Sequence, residues 1–213
     1  MKSTVRTADR VYPIDTATQP LFAGLVGPAL LSNGNTVEIF AAQPADIESV
    51  REFYAHLSDS ATWARFLGAR PYIPDAELRD VVAQDVRHHV TMLAAVEGAV
   101  IGIGEFVVTS KPNEAEVAFA VADDHHREGI ATLLLERLAV VARRCGIERF
   151  VANTMFGNGD MQLVFRTVGL AVTTSHERDV VNVTLDLTSI EALQASTADR
   201  LHQAEAATTR STQ

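Results

Sequence analysis

The sequence predicts an α+β domain in which helices surround one sheet, and three observations predict it. Three β-rich apolar runs follow one another between residues 90 and 122, separated only by Glu97-Gly98-Ala99 and by Ser110-Lys111-Pro112-Asn113, linkers short enough for antiparallel hairpins. Directly after them the apolar period changes from two to about 3.6, so that Ile130, Leu133, Leu134, Leu138, Val141, Ala142 and Cys145 fall on one helical face. Strand, helix and two further strands then complete the order, which suits one sheet with helices packed on it.

Each element has its own reason. Residues 1 to 33 mix Thr, Asp, Pro and Gly without sustained periodicity and read as an irregular arm, packing on the domain through Leu21, Phe22 and Leu25. Residues 36 to 42 read as a strand. Pro44-Ala45-Asp46 then opens a helix carrying Ile47, Val50, Phe53, Tyr54 and Leu57 on one face, with Asp46 as its N-cap. Residues 61 to 67 and 74 to 86 read as two more helices, the second with Pro74 in its first turn. The strands at 90–96, 100–109 and 114–122 follow, and Gly98 suits the positive φ of the first hairpin turn. Gly146 can end the long helix in the left-handed conformation. Residues 147–155 return to strand, 160–168 to helix, and 170–177 with 180–187 form a closing hairpin around Arg178-Asp179. The tail from 189 to 213 begins with a capping-box spacing, Thr188 and Glu191, and a marginal helix marked by Ile190, Leu193, Leu201 and Ala204. Its last ten residues are expected to be mobile. The globular domain therefore spans residues 34 to 188.

Composition narrows the function. With 213 residues, 47% of them hydrophobic and 21% charged, the chain suits one folded domain with loose ends. A formal net charge of −9 argues against a nucleic-acid partner, which needs a basic patch, and leaves room for a basic substrate. One cysteine, Cys145, allows neither an internal disulfide nor a cysteine-rich zinc site and reads as a structural thiol. The apolar runs are too short to span a membrane and the N-terminus lacks a signal-peptide core, so no membrane partner is expected and the cytoplasm is the expected location. The pairs His88-His89 and His125-His126 lack ligand spacing, so no metal is expected.

The stretch with the most chemistry is Val121-Ala122-Asp123-Asp124-His125-His126-Arg127-Glu128-Gly129-Ile130-Ala131-Thr132, a strand end that passes through a polar loop into a helix. A helix start leaves backbone N–H groups unpaired and carries partial positive charge, so it can hold a pyrophosphate where small residues admit the anion. Gly129 and Ala131 are such residues, although helix–strand packing explains a Gly-x-Ala start equally well.

This stretch resembles the GNAT acetyltransferase superfamily, whose members carry Gln/Arg-x-x-Gly-x-Gly/Ala between the fourth strand and the following helix. His126-Arg127-Glu128-Gly129-Ile130-Ala131 matches both small positions and has His at the first. The run from Ala115 to Val121, the helix from Thr132, Gly146-Ile147-Glu148-Arg149-Phe150, and Asn158-x-x-Met161-x-x-x-Phe165-Arg166-x-x-Gly169-Leu170 resemble the Pat-type protein lysine acetyltransferases within it. A fainter likeness runs from Asn33-Gly34 through Pro44-Ala45-Asp46 and Leu57-Ser58 to Arg65-Phe66-Leu67-Gly68, so the resemblance covers roughly residues 33 to 187. It implies a central mixed, mostly antiparallel sheet flanked by helices, and acetyl-CoA as cosubstrate. The pyrophosphate would lie on His126, Arg127, Glu128, Gly129, Ile130, Ala131 and Thr132. The pantetheine arm would lie against Phe119, Ala120 and Val121, where sheets of this superfamily splay. Asn158 would touch the pantetheine, or act only as a helix cap. Phe165 stands where many relatives place a tyrosine beside the departing thiolate and can donate no proton.

An amine attacks a thioester as the free base, and lysine titrates near ~10.4, so a general base is required near neutral pH. The resemblance assigns that role to the glutamate of Ala-Glu-x-Ala, here Glu116. Glu114 shares its strand face by alternation, and parity does not separate the two. Trp63 and Tyr54 are core or rim residues, or a substrate wall. The expected activity is acetyl transfer to a protein lysine, with a small-molecule amine acetyltransferase and a low-activity acyl-CoA-binding regulatory module as the alternatives. Pat-type enzymes often carry a regulatory nucleotide-binding domain, for which this chain has no room, so such regulation would come from a partner.

Overall fold

The computed structural model describes residues 19–31, 33–191, 193–195 and 203–204. Eight strands form one sheet in the order β1-β2-β3-β4-β5-β6-β8-β7. They are β1 (Gly27–Leu30), β2 (Thr36–Ala41), β3 (His89–Val96), β4 (Ala99–Val108), β5 (Glu114–Val121), β6 (Arg149–Met155), β7 (Ala171–Glu177) and β8 (Val180–Asp186). The helices are α1 (Gln19–Phe22), α2 (Ile47–His56), α3 (Asp59–Phe66), α4 (Asp75–Val82), α5 (Ile130–Arg144) and α6 (Gly159–Thr167). Every strand pair is antiparallel except β5 with β6, so the sheet is mixed and mostly antiparallel.

Two cores cover the two sheet faces. On one face α5 buries Leu134, Leu135 and Leu138 completely, each contributing roughly 1.5–3 kcal/mol by removal from water. Its seat is cut by glycine: a Cβ at Gly102 of β4 would stand 2.7 Å from Ile130 Cγ2, and one at Gly104 would stand 2.9 Å from Phe119 Cδ1. The opposite face is covered by α2 and α4, which set Val50, Phe53, Leu78 and Val82 against Leu93, Ile103 and Ala120.

The alternation and the 3.6-residue period place most elements within one or two residues of their bounds, and four details differ. The arm is not irregular throughout, because residues 27–30 form β1, pairing with β2 at the sheet's edge. Phe22 and Leu25 are buried as expected, and the arm is pinned by α5: Arg137 donates to Leu25 O at 2.7 Å and Arg144 to Leu21 O at 2.8 Å. No apolar period marks β1, since it is four residues containing Gly and Pro. Asp46 ends a short 3-10 turn (Pro44–Asp46) and stands at the N-cap position of α2 as expected, but its side chain makes no cap bond to α2: its Oδ2 accepts from Gln43 N at 2.9 Å and braces the turn. The helix expected from residue 61 begins two residues earlier, because Ser58 caps it by accepting from Ala61 N. Thr188 does not cap the tail helix: its hydroxyl donates to Asp186 Oδ1 at 2.6 Å. Ile190, Leu193 and Ala204 are buried, whereas Leu201 and residues 205–213, nearly all of the tail expected to be mobile, lie outside the described residues.

Candidate active site

The site begins where two neighbouring strands part. β5 and β6 pair only from Glu114↔Arg149 to Glu116↔Val151, although β5 continues to Val121 and β6 to Met155. In the antiparallel ladder with β4, Thr109 N donates to Glu114 O and Ala122 N to Ile101 O, so the even-numbered residues of β5 turn their backbone groups toward β4. The odd ones, Phe119 and Val121, present theirs to the gap. Ala120 was expected to offer its backbone as well. Its backbone groups belong to the β4 ladder, although the residue borders the cleft.

The gap opens into a cleft of about 960 Å³ that runs between α3 on one side and α6 on the other. All the expected cofactor residues except Glu128 line it. At its end stands the start of α5. Gly129, at φ +93°, precedes the helix with no side-chain cap, and no acidic residue occupies the first turn. The first helical bond recorded there is Leu133 N to Gly129 O, so the amides of Ile130, Ala131 and Thr132 have no partner within the helix. A Cβ on Gly129 would meet nothing within 4 Å, which leaves the approach to these amides open.

The side chains of this loop brace it. His126 Nε2 lies 3.0 Å from Val121 O and closes the strand end, so the histidine at the first motif position has a local structural partner. Glu128 is bound by Asn33 Nδ2 at 3.0 Å and by His125 Nδ1 at 2.9 Å, which turns it away from the cleft. Arg127, at φ +63°, reaches across the mouth to Asp160 at 3.3 Å. Asp123 accepts from both Ser58 N at 3.0 Å and Ser58 Oγ at 2.6 Å, tying the loop to the start of α3; these bonds hold its carboxyl below the usual range. Asn158 does cap α6, accepting from Met161 N at 3.0 Å, and lines the cleft as well. Phe165 is buried, its ring 6.5 Å from that of Phe119.

The two carboxylates that parity left equivalent have different surroundings. Glu114 is 5% exposed and engaged by Thr109 Oγ1 at 3.1 Å, Lys111 Nζ at 3.5 Å and Arg149 Nε at 3.8 Å. Glu116 is exposed and has no hydrogen bond or ion pair among the described residues. It lies on the same strand face as the cleft residue Ala118, two positions back along β5, and does not itself line the cleft.

One polar group escaped the sequence reading. Arg65 of α3 lines the cleft and forms an ion pair with Glu105 of β4, which His89 Nε2 of β3 meets at 2.8 Å. Burial holds His89 below its ordinary pKa, and Arg65 adds to this, so the neutral ring donates its Nε2–H to Glu105. The available signal was Glu105 alone, a carboxylate amid the apolar run of residues 101–108. Tyr54 packs in the core against Phe53 and Phe66, and burial raises its phenol pKa; Trp63 is 47% exposed and stands on the cleft rim. The other two members of the histidine pairs have protein partners, His88 with Asp85 and His125 with Glu128, and no metal-binding cluster occurs among the described residues. Cys145 is half-buried and its thiol pKa is raised by burial, as suits a structural residue.

This geometry has relatives. The crystal structure of the GNAT domain of S. lividans PAT matches with a TM-score of 0.71 and 30% identity, covering 77% of this chain and 98% of that one. The acetyltransferase Pat of Mycolicibacterium smegmatis is 26% identical over 170 residues, which are 78% of this chain; the chain spans about half (50%) of that relative's length. The Salmonella typhimurium yncA structure, solved with its cofactor acetyl-CoA, shares the fold at 23% identity and a TM-score of 0.60, covering 73% of this chain and 96% of that one. The profile of the acetyltransferase (GNAT) family matches residues 50–170, more than half of the sequence, and the chain belongs to that family.

Proposed function

We propose that this chain transfers the acetyl group of acetyl-CoA to a lysine ε-amine of a protein in the cytoplasm, by direct attack with Glu116 as general base, and that residues 34 to 188 form the catalytic domain. The observation that carries the reading is the parted β5–β6 seam leading to the uncapped start of α5. A long ligand with an amide-bearing arm and an anionic end fits both halves of that site: strand groups at Phe119 and Val121 for the arm, free helix amides for the anion. Bound acetyl-CoA would supply an activated thioester carbonyl. The chain's own residues would orient it, with Gly129 and Ala131 leaving the amides accessible and Asn158 and Phe165 enclosing the arm from α6.

The preference for Glu116 rests on engagement. A base must be free to take a proton, and the Glu114 carboxylate is already engaged, accepting the Thr109 hydroxyl and lying beside Lys111 and Arg149. Glu116 has no such partner. The acceptor side is open at Trp63, and a chain of net charge −9 favours the approach of a lysine on a basic surface. The likeness to Pat supports a protein acceptor.

The protein incubated with acetyl-CoA and a lysate, with acetyl-lysine read by mass spectrometry, should give new modified lysines. Glu116→Gln should lower that turnover by ~10²–10⁴ near neutral pH with little change in acetyl-CoA affinity, the deficit narrowing as pH approaches the lysine pKa. Glu114→Gln should retain turnover. Acetylation of small amines alone would move the acceptor to the small-molecule class, and binding without turnover would make the chain a regulatory module.

A further inference from the structure

Thr154 of β6 is 1% exposed and lines the cleft, yet its Oγ1 is buried without a hydrogen-bond partner among the described residues. A buried hydroxyl left unpaired opposes folding, so a strand position that keeps one asks what it serves. Packing alone does not require it, since valine has the same shape. Ala152 and Phe150, two and four residues back on the same face, are apolar and belong to the core under α5.

The register places this hydroxyl along the seam. The last pair between the parting strands is Glu116↔Val151; three residues further on each strand lie Phe119 and Thr154, level with one another across the opening. Phe119 and Phe165 supply the apolar walls at this level. β5 runs toward the phosphate-binding loop, so an arm lying along Phe119–Val121 has its anionic end beyond Val121 and its sulfur at the Phe119 end. We propose that the Thr154 hydroxyl donates a hydrogen bond to the thioester sulfur as it leaves, supplying from the strand what Phe165 lacks. This rests on the acetyl-transfer reading above.

The step balances without an acid. The amine lone pair forms the C–N bond, the amine proton passes to Glu116, and the C–S bond breaks with its electron pair on sulfur. Thr154 stays protonated, holding the thiolate, which takes a proton from water on release. A thiol titrating near ~8.5 leaves a stable enough anion for one hydrogen bond to matter.

The test uses the full chain with Thr154→Val, which keeps the shape, and Thr154→Ser, which keeps the hydroxyl. Without ligand, the valine variant should unfold at or above the native temperature, because no protein bond is lost. Its affinity for acetyl-CoA should match the native protein. Its affinity for free CoA should match at about pH 7 and fall about tenfold behind at about pH 9.5, where the thiol is ionised. Its kcat should drop about 10- to 100-fold, with serine restoring it. Equal CoA affinity at both pH values with unchanged kcat overturns the assignment, and so does a clear loss of ligand-free stability in the valine variant, which would make the hydroxyl structural. If the native protein binds no acetyl-CoA, the underlying reading fails first, and that result is visible before any variant is made.

Discussion

Along the α5 flank the cleft is bordered by residues of one run from Phe119 to Thr132, with the helix amides at its end uncapped, whereas the α3 flank is lined by α3 side chains held in place from behind by three other segments. Arg65 comes from α3, Glu105 from β4, His89 from β3, and Ser58 reaches Asp123 across the loop. The backbone flank needs only small residues and a helix start to work, and its side chains are free to brace the loop, as His126 and Glu128 do. On the other flank the identities of the side chains are the site. In the proposed function the flank assigned to the cosubstrate, common to every reaction, is built from what every residue possesses, and the flank assigned to the acceptor from what can vary.

If the flanks are separate in this way, damage to one should leave the other working. The largest effect on stability is expected from Glu105→Gln, which leaves the Arg65 guanidinium buried without its counter-ion: unfolding free energy should fall by about 3 kcal/mol in urea titration. The acceptor KM should rise about tenfold while acetyl-CoA affinity of the folded fraction holds. An equal loss of cofactor affinity would join the flanks into one unit. A smaller effect is expected from Ser58→Ala, which removes both the α3 cap and the hydroxyl's bond to Asp123 while leaving the backbone N bond to Asp123 in place, at a cost of about 1 kcal/mol. Because Asp123 is held below its ordinary pKa, its share of that stabilisation is complete above the ordinary carboxylate range and is lost as pH falls through the lowered value. The gap between the native and Ser58→Ala unfolding curves should therefore narrow in acid to the share of the cap; a gap that persists unchanged would leave the cap alone responsible.

The same division explains how much the sequence discloses. The strands with clean alternation, the α5 face and the Gly129 turn are local signals, so both the sheet and the loop before α5 are legible from residues close together in the chain. β1 is not, since Gly27–Leu30 has no period of its own and is held by pairing with β2 and by Arg137 reaching Leu25. Glu105 is not legible either. Its partners lie 40 residues earlier at Arg65 and 16 residues earlier at His89, and only the sheet register brings them together. Thr154 reads as an ordinary strand threonine until the parting of β5 from β6 turns its face into the wall of a cleft. Parity, likewise, leaves Glu114 and Glu116 equal, and their difference comes from Lys111 and Arg149, one of them brought by a parallel strand.

The central claim, that the parted seam and the open start of α5 hold the acetyl donor, is tested most directly by calorimetric titration of acetyl-CoA into the native protein, Gly129→Glu and Gly129→Asn. Native protein should bind with measurable heat and gain thermal stability. Gly129→Glu should lose both, since a carboxylate placed before the helix blocks its amides and repels phosphate. Asparagine tolerates the positive φ at this position and adds no charge, so Gly129→Asn should retain most of the binding and separate electrostatic loss from backbone strain. Saturating acetyl-CoA that gives neither heat nor stabilisation with the native protein, or that binds Gly129→Glu as tightly as native, would contradict the account.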